Sequence, residues 1–473
     1  MTLIIAPIAV LVIVYLSCLD WRRSVKTVLL LVVIEGALRK WVLPQASELI
    51  YFLKDIVLFG AYIQYYALSK SSNKFPTIKQ PFVHILLFLI FSWCLFHTFN
   101  PSLGSPIIGL WGLRNYFYYL PLIWMMPNLF PSEEELYNFL RSHLLLVIPV
   151  GLLGIAQFFS PASSPINVYA PGQEASTGIA TFGVSSTARI TGTFSYINNY
   201  VPYLLVCFSL LISLLSQKLE KKQYKILIIE MLLVVINSFM TGSRTIIFGS
   251  VLFVIGYVFI KGINQFSSIL RLLKWIAPPG LIFLVIVSII FYERINQILD
   301  RILLTNDVVL RLSLLFQEPI HNTGIKLLDG FGPGSTHQAT GILRSVLRLP
   351  TGEVIPVGYE SEMGRIILEI GPIGFIFWYG LRIGIMIALL ALVWKLKRPL
   401  LRDLALSAFL IHLIWLPGQL VFHNTFSVYY WFLSSFIFLL PYLEQVENWR
   451  KQHHLLHQYD QFSYFSDSSY GES

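Results

Sequence analysis

The chain has 473 residues, 55% of them hydrophobic and only 12% charged, with a mean hydropathy of +0.67. This balance excludes a soluble domain and describes a polytopic membrane protein. A formal charge of +9 would suggest nucleic acid in a soluble chain. Here the excess falls in short connections, where orientation and anionic lipid headgroups account for it, so no nucleic-acid partner is expected.

The apolar runs are continuous and not alternating, which predicts helical spans and not a barrel. Spans are expected near 3–19, 27–43, 48–68, 81–99, 107–128, 142–160, 197–216, 226–240, 245–261, 275–292, 365–394, 403–418 and 425–444. The fold class is thus all-α: a single bundle of about 12–13 spans over 1–444, with a polar, solvated tail at 445–473. The first run has its basic cluster behind it and none in front, so it reads as a retained span and not a cleaved signal. The run 226–240 is short for a hydrocarbon core of about 30 Å. It meets its successor at a tight turn, Thr241-Gly-Ser-Arg-Thr245.

Numbered alternately, the connections sort the 34 Lys and Arg residues, with clusters at 22–26, 70–79, 218–225, 261–274 and 395–402 on one side. Positive residues stay cytoplasmic, which predicts a multi-pass protein of the cytoplasmic membrane with its N-terminus outside and its C-terminus inside. Arg189, Arg244, Arg294, Arg301, Arg311, Lys326, Arg344 and Arg348 fall on the other side. Topogenesis does not favour them there, so some are candidates for binding an anion.

Two outward connections are long. The first, 161–196, is rich in Pro, Gly, Ser, Thr and Ala. The second, 293–364, has Ile295, Ile298, Leu299 and Ile302, then Leu310, Leu314 and Leu315, near helical spacing before it breaks at Gly330-Phe-Gly-Pro-Gly334. Its apolar content predicts a packed, partly helical lid bearing the active site. Cys18, Cys94 and Cys207 have neither ligand spacing nor facing partners, and the outward side lacks an Asp-x-Asp pair, so neither a metal nor another cofactor is expected.

Arg189 lies in Ala188-Arg-Ile-Thr-Gly-Thr-Phe-Ser195, Arg244 in the tight turn, and Arg311 on an apolar helix-like stretch. A guanidinium offers a planar fork that matches phosphate oxygens and stays charged at any relevant pH. Taken singly, each arginine serves equally as a ligand for a lipid pyrophosphate or, more plainly, as a headgroup anchor or the partner of a nearby acid. Inside the spans, Lys54 and Asp55 are adjacent and point about 100° apart, so each needs a partner on another helix. Glu35 and Arg114 are the candidates.

Four features occur in order: Arg189-Ile-Thr-Gly-Thr-Phe194, Ser243-Arg-Thr opening a span, Arg311 before Gly330-Phe-Gly-Pro-Gly334, and Glu369-Ile-Gly-Pro-Ile-Gly374 in the next span. Over roughly 185–380 this order resembles the O-antigen ligase and polymerase superfamily. The resemblance implies extracytoplasmic transfer or polymerisation of a glycan from a polyprenyl pyrophosphate donor to a glycan or lipid-glycan acceptor, without a metal. It implies that Arg244 and Arg311, with Arg189, bind the pyrophosphate and stabilise it as leaving group.

Ligases of that family carry a His-Asn pair eleven residues before the first glycine of this last motif. Here that position holds Glu360, followed by Ser361. A carboxylate can still serve as general base for an acceptor hydroxyl, and the departure favours polymerase over ligase. If the stretch is helical, Glu360 stands about 16 Å beyond Gly371 along the axis. Glu362 and His337 are rival candidates for the same role. The alternative from another class is a transporter or flippase of a lipid-linked saccharide, which lacks support from any inverted repeat.

Overall fold

The computed structural model describes residues 2–69, 78–171, 179–182, 187–263, 270, 292, 307–326 and 328–468; the side chains of 2–6, 307–312 and 454–468 lie outside that description. The expected span at 275–292 falls almost wholly outside the described residues, as do Arg294 and Arg301. Apart from two isolated β-bridges joining Pro161 to Thr187 and Thr181 to Ala188, the described regular structure is helical.

The first helices are α1 (Thr2–Leu19), α2 (Trp21–Ala37), α3 (Ser47–Tyr51) and α4 (Leu53–Tyr62). They are followed by α5 (Pro81–His97), α6 (Pro106–Phe117), α7 (Leu122–Leu129), α8 (Glu133–Leu144) and α9 (Val147–Phe159). Proline at the first turn of α5 and α6 loses no hydrogen bond, because that N–H has no intrahelical acceptor. Ser132 caps α8, accepting from Glu135 N at 3.2 Å, and Glu133, Glu134 and Glu135 complement the positive end of the helix.

Next come α10 (Ile197–Leu215), α11 (Lys221–Met240) and α12 (Arg244–Ile263). The long connection carries α13 (Asp307–Lys326) and α14 (Ala339–Leu347), and α15 (Glu362–Lys395), α16 (Pro399–Ile414), α17 (Asn424–Ser434) and α18 (Phe436–Ser468) complete the chain. Among the described residues, six helices are long and apolar enough to cross a membrane: Glu133–Phe159, α10, α11, α12, α15 and Asn424–His453.

Several expected bounds change. The run 107–128 is two helices, α6 and α7, broken around 118–121 where Pro121 interrupts the ladder. The run 48–68 divides into α3, α4 and a π-helical turn at Ile63–Leu68. The stretch expected to be short is a 20-residue helix, because Lys221, Lys222 and Lys225 extend α11 past its apolar part. The backbone of the tail is helical to Ser468 and not irregular, since good helix formers such as Glu444, Gln445, Glu447 and Lys451 carry α18 onward.

Ion pairs tie the bundle together. Lys54 Nζ lies 2.7 Å from Glu35, and Asp55 pairs with Arg114, so the two adjacent charges do find partners on α2 and α6. Arg141 meets Glu230 at 2.6 Å, and Lys261 meets Asp403 at 2.8 Å. Such charges are costly in an apolar interior, and pairing is what makes them tolerable.

Candidate functional site

The segment 189–195 is threaded into the bundle and held from three sides. Gly192 has φ +55° and donates its N–H to Gln157 Oε1 at 2.8 Å, while its carbonyl accepts from Lys40 Nζ at 2.7 Å. Arg39 donates to Ser195 Oγ at 3.0 Å. At Gly36 a Cβ would stand 2.3 Å from Ser195 N, so only glycine allows this approach of α2. The upstream end is pinned to the turn after α11. There Ile190 N donates to Met240 O at 3.3 Å, and Arg189 Nε donates to Thr241 O at 2.8 Å. Arg189 therefore sits on the turn that carries Arg244, and two of the three expected arginines share one locus at the start of α12. Arg311 lies on α13, with its side chain outside the described residues.

The two glycine motifs form one structure. Helix α15 breaks at Gly371, whose φ of 67° and ψ of 177° lie outside the helical region. The break strips the carbonyls of Leu368 and Glu369 of their helical donors. Phe331 N and Gly332 N replace them, at 2.6 and 2.7 Å. The Glu369 carboxylate, fully buried, accepts from Thr336 N at 3.1 Å, Thr336 Oγ1 at 2.8 Å and Tyr116 Oη at 2.9 Å. Gly112 on α6 lets the loop close from the other side, where a Cβ would meet Pro333 C at 2.2 Å.

The break also corrects the expected position of Glu360. The residues after Ser361 are helical, but the chain folds back at Gly371, so Glu362 contacts Arg382 at 3.2 Å. Glu360 is therefore not three turns further out on a continuous axis. Its side chain is exposed, and its N–H donates to Glu318 of α13 at 3.0 Å. Glu318 also accepts from Ser361 N at 2.8 Å and Ser361 Oγ at 2.6 Å, placing a carboxylate at the positive end of α15.

Glu362 occupies a different environment. It is buried, paired with Arg382, and accepts the N–H groups of Leu420 and Val421, the latter at 3.0 Å. Both oxygens are engaged, so its geometry is that of a tie between α15 and the loop before α17. His337 is half-buried between Trp111 and Phe422, with ring centroids 5.8 and 6.0 Å away. Burial, reinforced by Arg114 and Arg365, pushes its pKa down to about 4. Its Nδ1 accepts from Ala339 N at 3.1 Å, which leaves Nε2–H as a neutral donor.

Three further basic residues of the long loop lie among the described residues. Lys326 pairs with Glu353, Arg344 donates to Leu103 O at 3.0 Å, and Arg348 ends α14 in the left-handed conformation. Sequence reasoning missed Arg365. It was counted as the first residue of a span, yet its guanidinium lies 5.2 Å from the ring centre of Tyr359 and 5.0 Å from that of Phe422. The available signal was its place five residues after Glu360, at the loop's end. The two loci are linked through Arg39, which lies 5.1 Å from the Tyr51 ring, and through Asn424, which donates to Tyr51 Oη at 2.6 Å. His423, beside Phe422, contacts Asn198 O at 2.9 Å.

Comparison with protein-family models and with curated proteins returns no match for this chain.

Proposed function

We propose that this multi-pass membrane protein is a glycosyltransferase that transfers or polymerises a polyprenyl pyrophosphate-linked oligosaccharide on the outer side of the cytoplasmic membrane, in surface polysaccharide assembly. Polymerase is favoured over ligase, because Glu360 stands where the ligases of the O-antigen superfamily carry histidine. The observation that carries the reading is the contact between Arg189 and Thr241 O, which brings two arginines to one turn at a helix mouth.

In this reading Arg189, Arg244 and Arg311 hold the donor's pyrophosphate. The bond between the anomeric carbon and the pyrophosphate oxygen breaks, and its electron pair leaves on the polyprenyl pyrophosphate, whose charge the guanidiniums stabilise. An acceptor hydroxyl forms the new carbon–oxygen bond and loses its proton to Glu360, the exposed carboxylate at the start of α15. Glu318 keeps the backbone of Glu360 and Ser361 in place, and the glycine loop anchored on Glu369 forms the floor.

Binding of a short polyprenyl pyrophosphate to the purified protein in nanodiscs tests the reading. Affinity should fall at least tenfold in Arg244→Ala and in Arg189→Ala, and polyprenol without phosphate should not compete. Unchanged affinity in both variants would remove the basis of the proposal.

A further inference from the structure

We infer that Arg365 is the recognition site for an acidic sugar, a uronate-type carboxylate on the glycan being transferred; this deepens the functional reading above and rests on it. Four cation–ring and ring–ring contacts follow one another without a gap. Arg114 lies 5.0 Å from the Trp111 ring, Trp111 is 5.8 Å from His337, His337 is 6.0 Å from Phe422, and Arg365 lies 5.0 Å from Phe422. Tyr359 covers Arg365 at 5.2 Å.

The two cations in this series differ. Arg114 is neutralised by Asp55 and donates to Asn115 Oδ1 at 2.9 Å. Arg365 has no carboxylate within ion-pair distance among the described residues, and its Nε is buried without a hydrogen-bond partner. Glu362, three residues before it, is already committed to Arg382 and to two backbone N–H groups. Ring faces offset part of the cation's desolvation, but they cannot accept its in-plane N–H groups. What remains is a fixed donor fork with no acceptor, the complement of a carboxylate.

The surroundings suit a sugar more than a second phosphate. Aromatic rings pack against the C–H faces of pyranoses, and His337 offers a neutral Nε2–H donor for a hydroxyl. The charged half of the donor is assigned to Arg189 and Arg244, on a separate turn. Glu360, five residues before Arg365, lies at the same end of α15, so a sugar held by Arg365 stands beside the carboxylate read as base.

Binding measured without turnover tests this. The probes are a glucuronate-containing trisaccharide and the same trisaccharide with its carboxyl reduced, titrated into the full-length protein in nanodiscs. The wild type should bind the acidic form at least tenfold more tightly. Arg365→Gln should abolish that preference while leaving the weak binding of the reduced form unchanged, and Arg365→Lys, which keeps the charge but not the fork, should restore only part of it. Equal binding of the two probes by the wild type, or an intact preference in a folded Arg365→Gln protein, would overturn the inference. So would displacement of the acidic probe by submillimolar inorganic pyrophosphate, because the locus would then belong to the leaving group. If the preference holds but the protein fails to transfer glycan, the site stands and the transferase reading falls.

Discussion

Glu362 and Arg382 lie twenty positions apart on one helix, yet their side chains meet at 3.2 Å. A straight helix would separate them by about 30 Å. The reversal at Gly371 brings them together, and it also buries the glycine loop against the broken end of the helix. The architecture of the candidate site depends on this fold-back, so its stability can be tested independently of any substrate.

Gly371→Ala should be among the most damaging single changes in the chain. The residue has φ 67°, and a Cβ would stand 2.1 Å from Leu328 O, which is backbone and cannot yield cheaply. A loss of roughly 2–4 kcal/mol is expected from strain and displacement together. The thermal midpoint of detergent-solubilised protein, followed by monodispersity, should drop by many degrees. A midpoint equal to that of the wild type would mean that the fold-back is absent.

Glu362→Gln should destabilise by about 3–5 kcal/mol, because it leaves the Arg382 guanidinium buried without its counter-charge. The double change Glu362→Gln with Arg382→Met removes that charge and should recover a large part of the loss. Were Glu362 instead a base exposed to substrate, the single change would spare stability and remove activity.

Arg244→Ala and Arg311→Ala should each reduce glycan transfer by tens to thousands of fold while the protein still inserts, since losing a charge-assisted phosphate contact costs about 2–5 kcal/mol. Lysine at either position should fail to restore full activity. Arg348→Ala, whose residue ends α14 in the long loop, should change transfer by less than about twofold. Near-normal product from both of the first two variants would sink the pyrophosphate assignment.

His337 provides a pH test with a defined sign. Its pKa is held at about 4, below the ordinary histidine value of about 6.5, so it binds fewer protons folded than unfolded between those limits. Stability should therefore be full above about pH 6.5 and decline as pH falls towards 4. In His337→Asn that part of the decline should vanish, as read from thermal midpoints across the window. Any activity change between pH 5 and 8 must arise elsewhere. Glu360→Gln should lose turnover and keep pyrophosphate binding, whereas His337→Asn should weaken binding of the transferred glycan without moving the pH profile.

Reporter fusions at Lys222 and Lys397 should read cytoplasmic, and those at Gly178 and Gly341 should read external. The bias of Lys and Arg among alternate short connections carries this expectation. Outward signals at both lysine positions would invert the orientation on which the donor assignment depends.

Much of the bundle was legible because apolar runs and punctuation alone specify helical spans. The partners of Lys54 and Asp55 were legible too, since an isolated charge in an apolar helix must find its opposite. The fold-back was not, because Gly-Pro within an apolar run is equally compatible with a mild kink. The docking of Phe331 and Gly332 onto the freed carbonyls stabilises the sharp reversal, and that contact joins residues far apart in sequence. The seat of Arg189 on the Thr241 turn was hidden for the same reason. The environment of Arg365 was not legible, because a cation at the head of an apolar run reads equally well as a topological anchor, and its ring partner Phe422 is far away in sequence.

Glycan transfer is measured most directly with the purified protein in proteoliposomes and a polyprenyl pyrophosphate-linked repeat unit as sole donor and acceptor. Resolved by size, the product should be a ladder of longer lipid-linked chains with release of free polyprenyl pyrophosphate, absent in Arg244→Ala. Unextended repeat units that have merely moved from one leaflet to the other would contradict the account and identify a transporter.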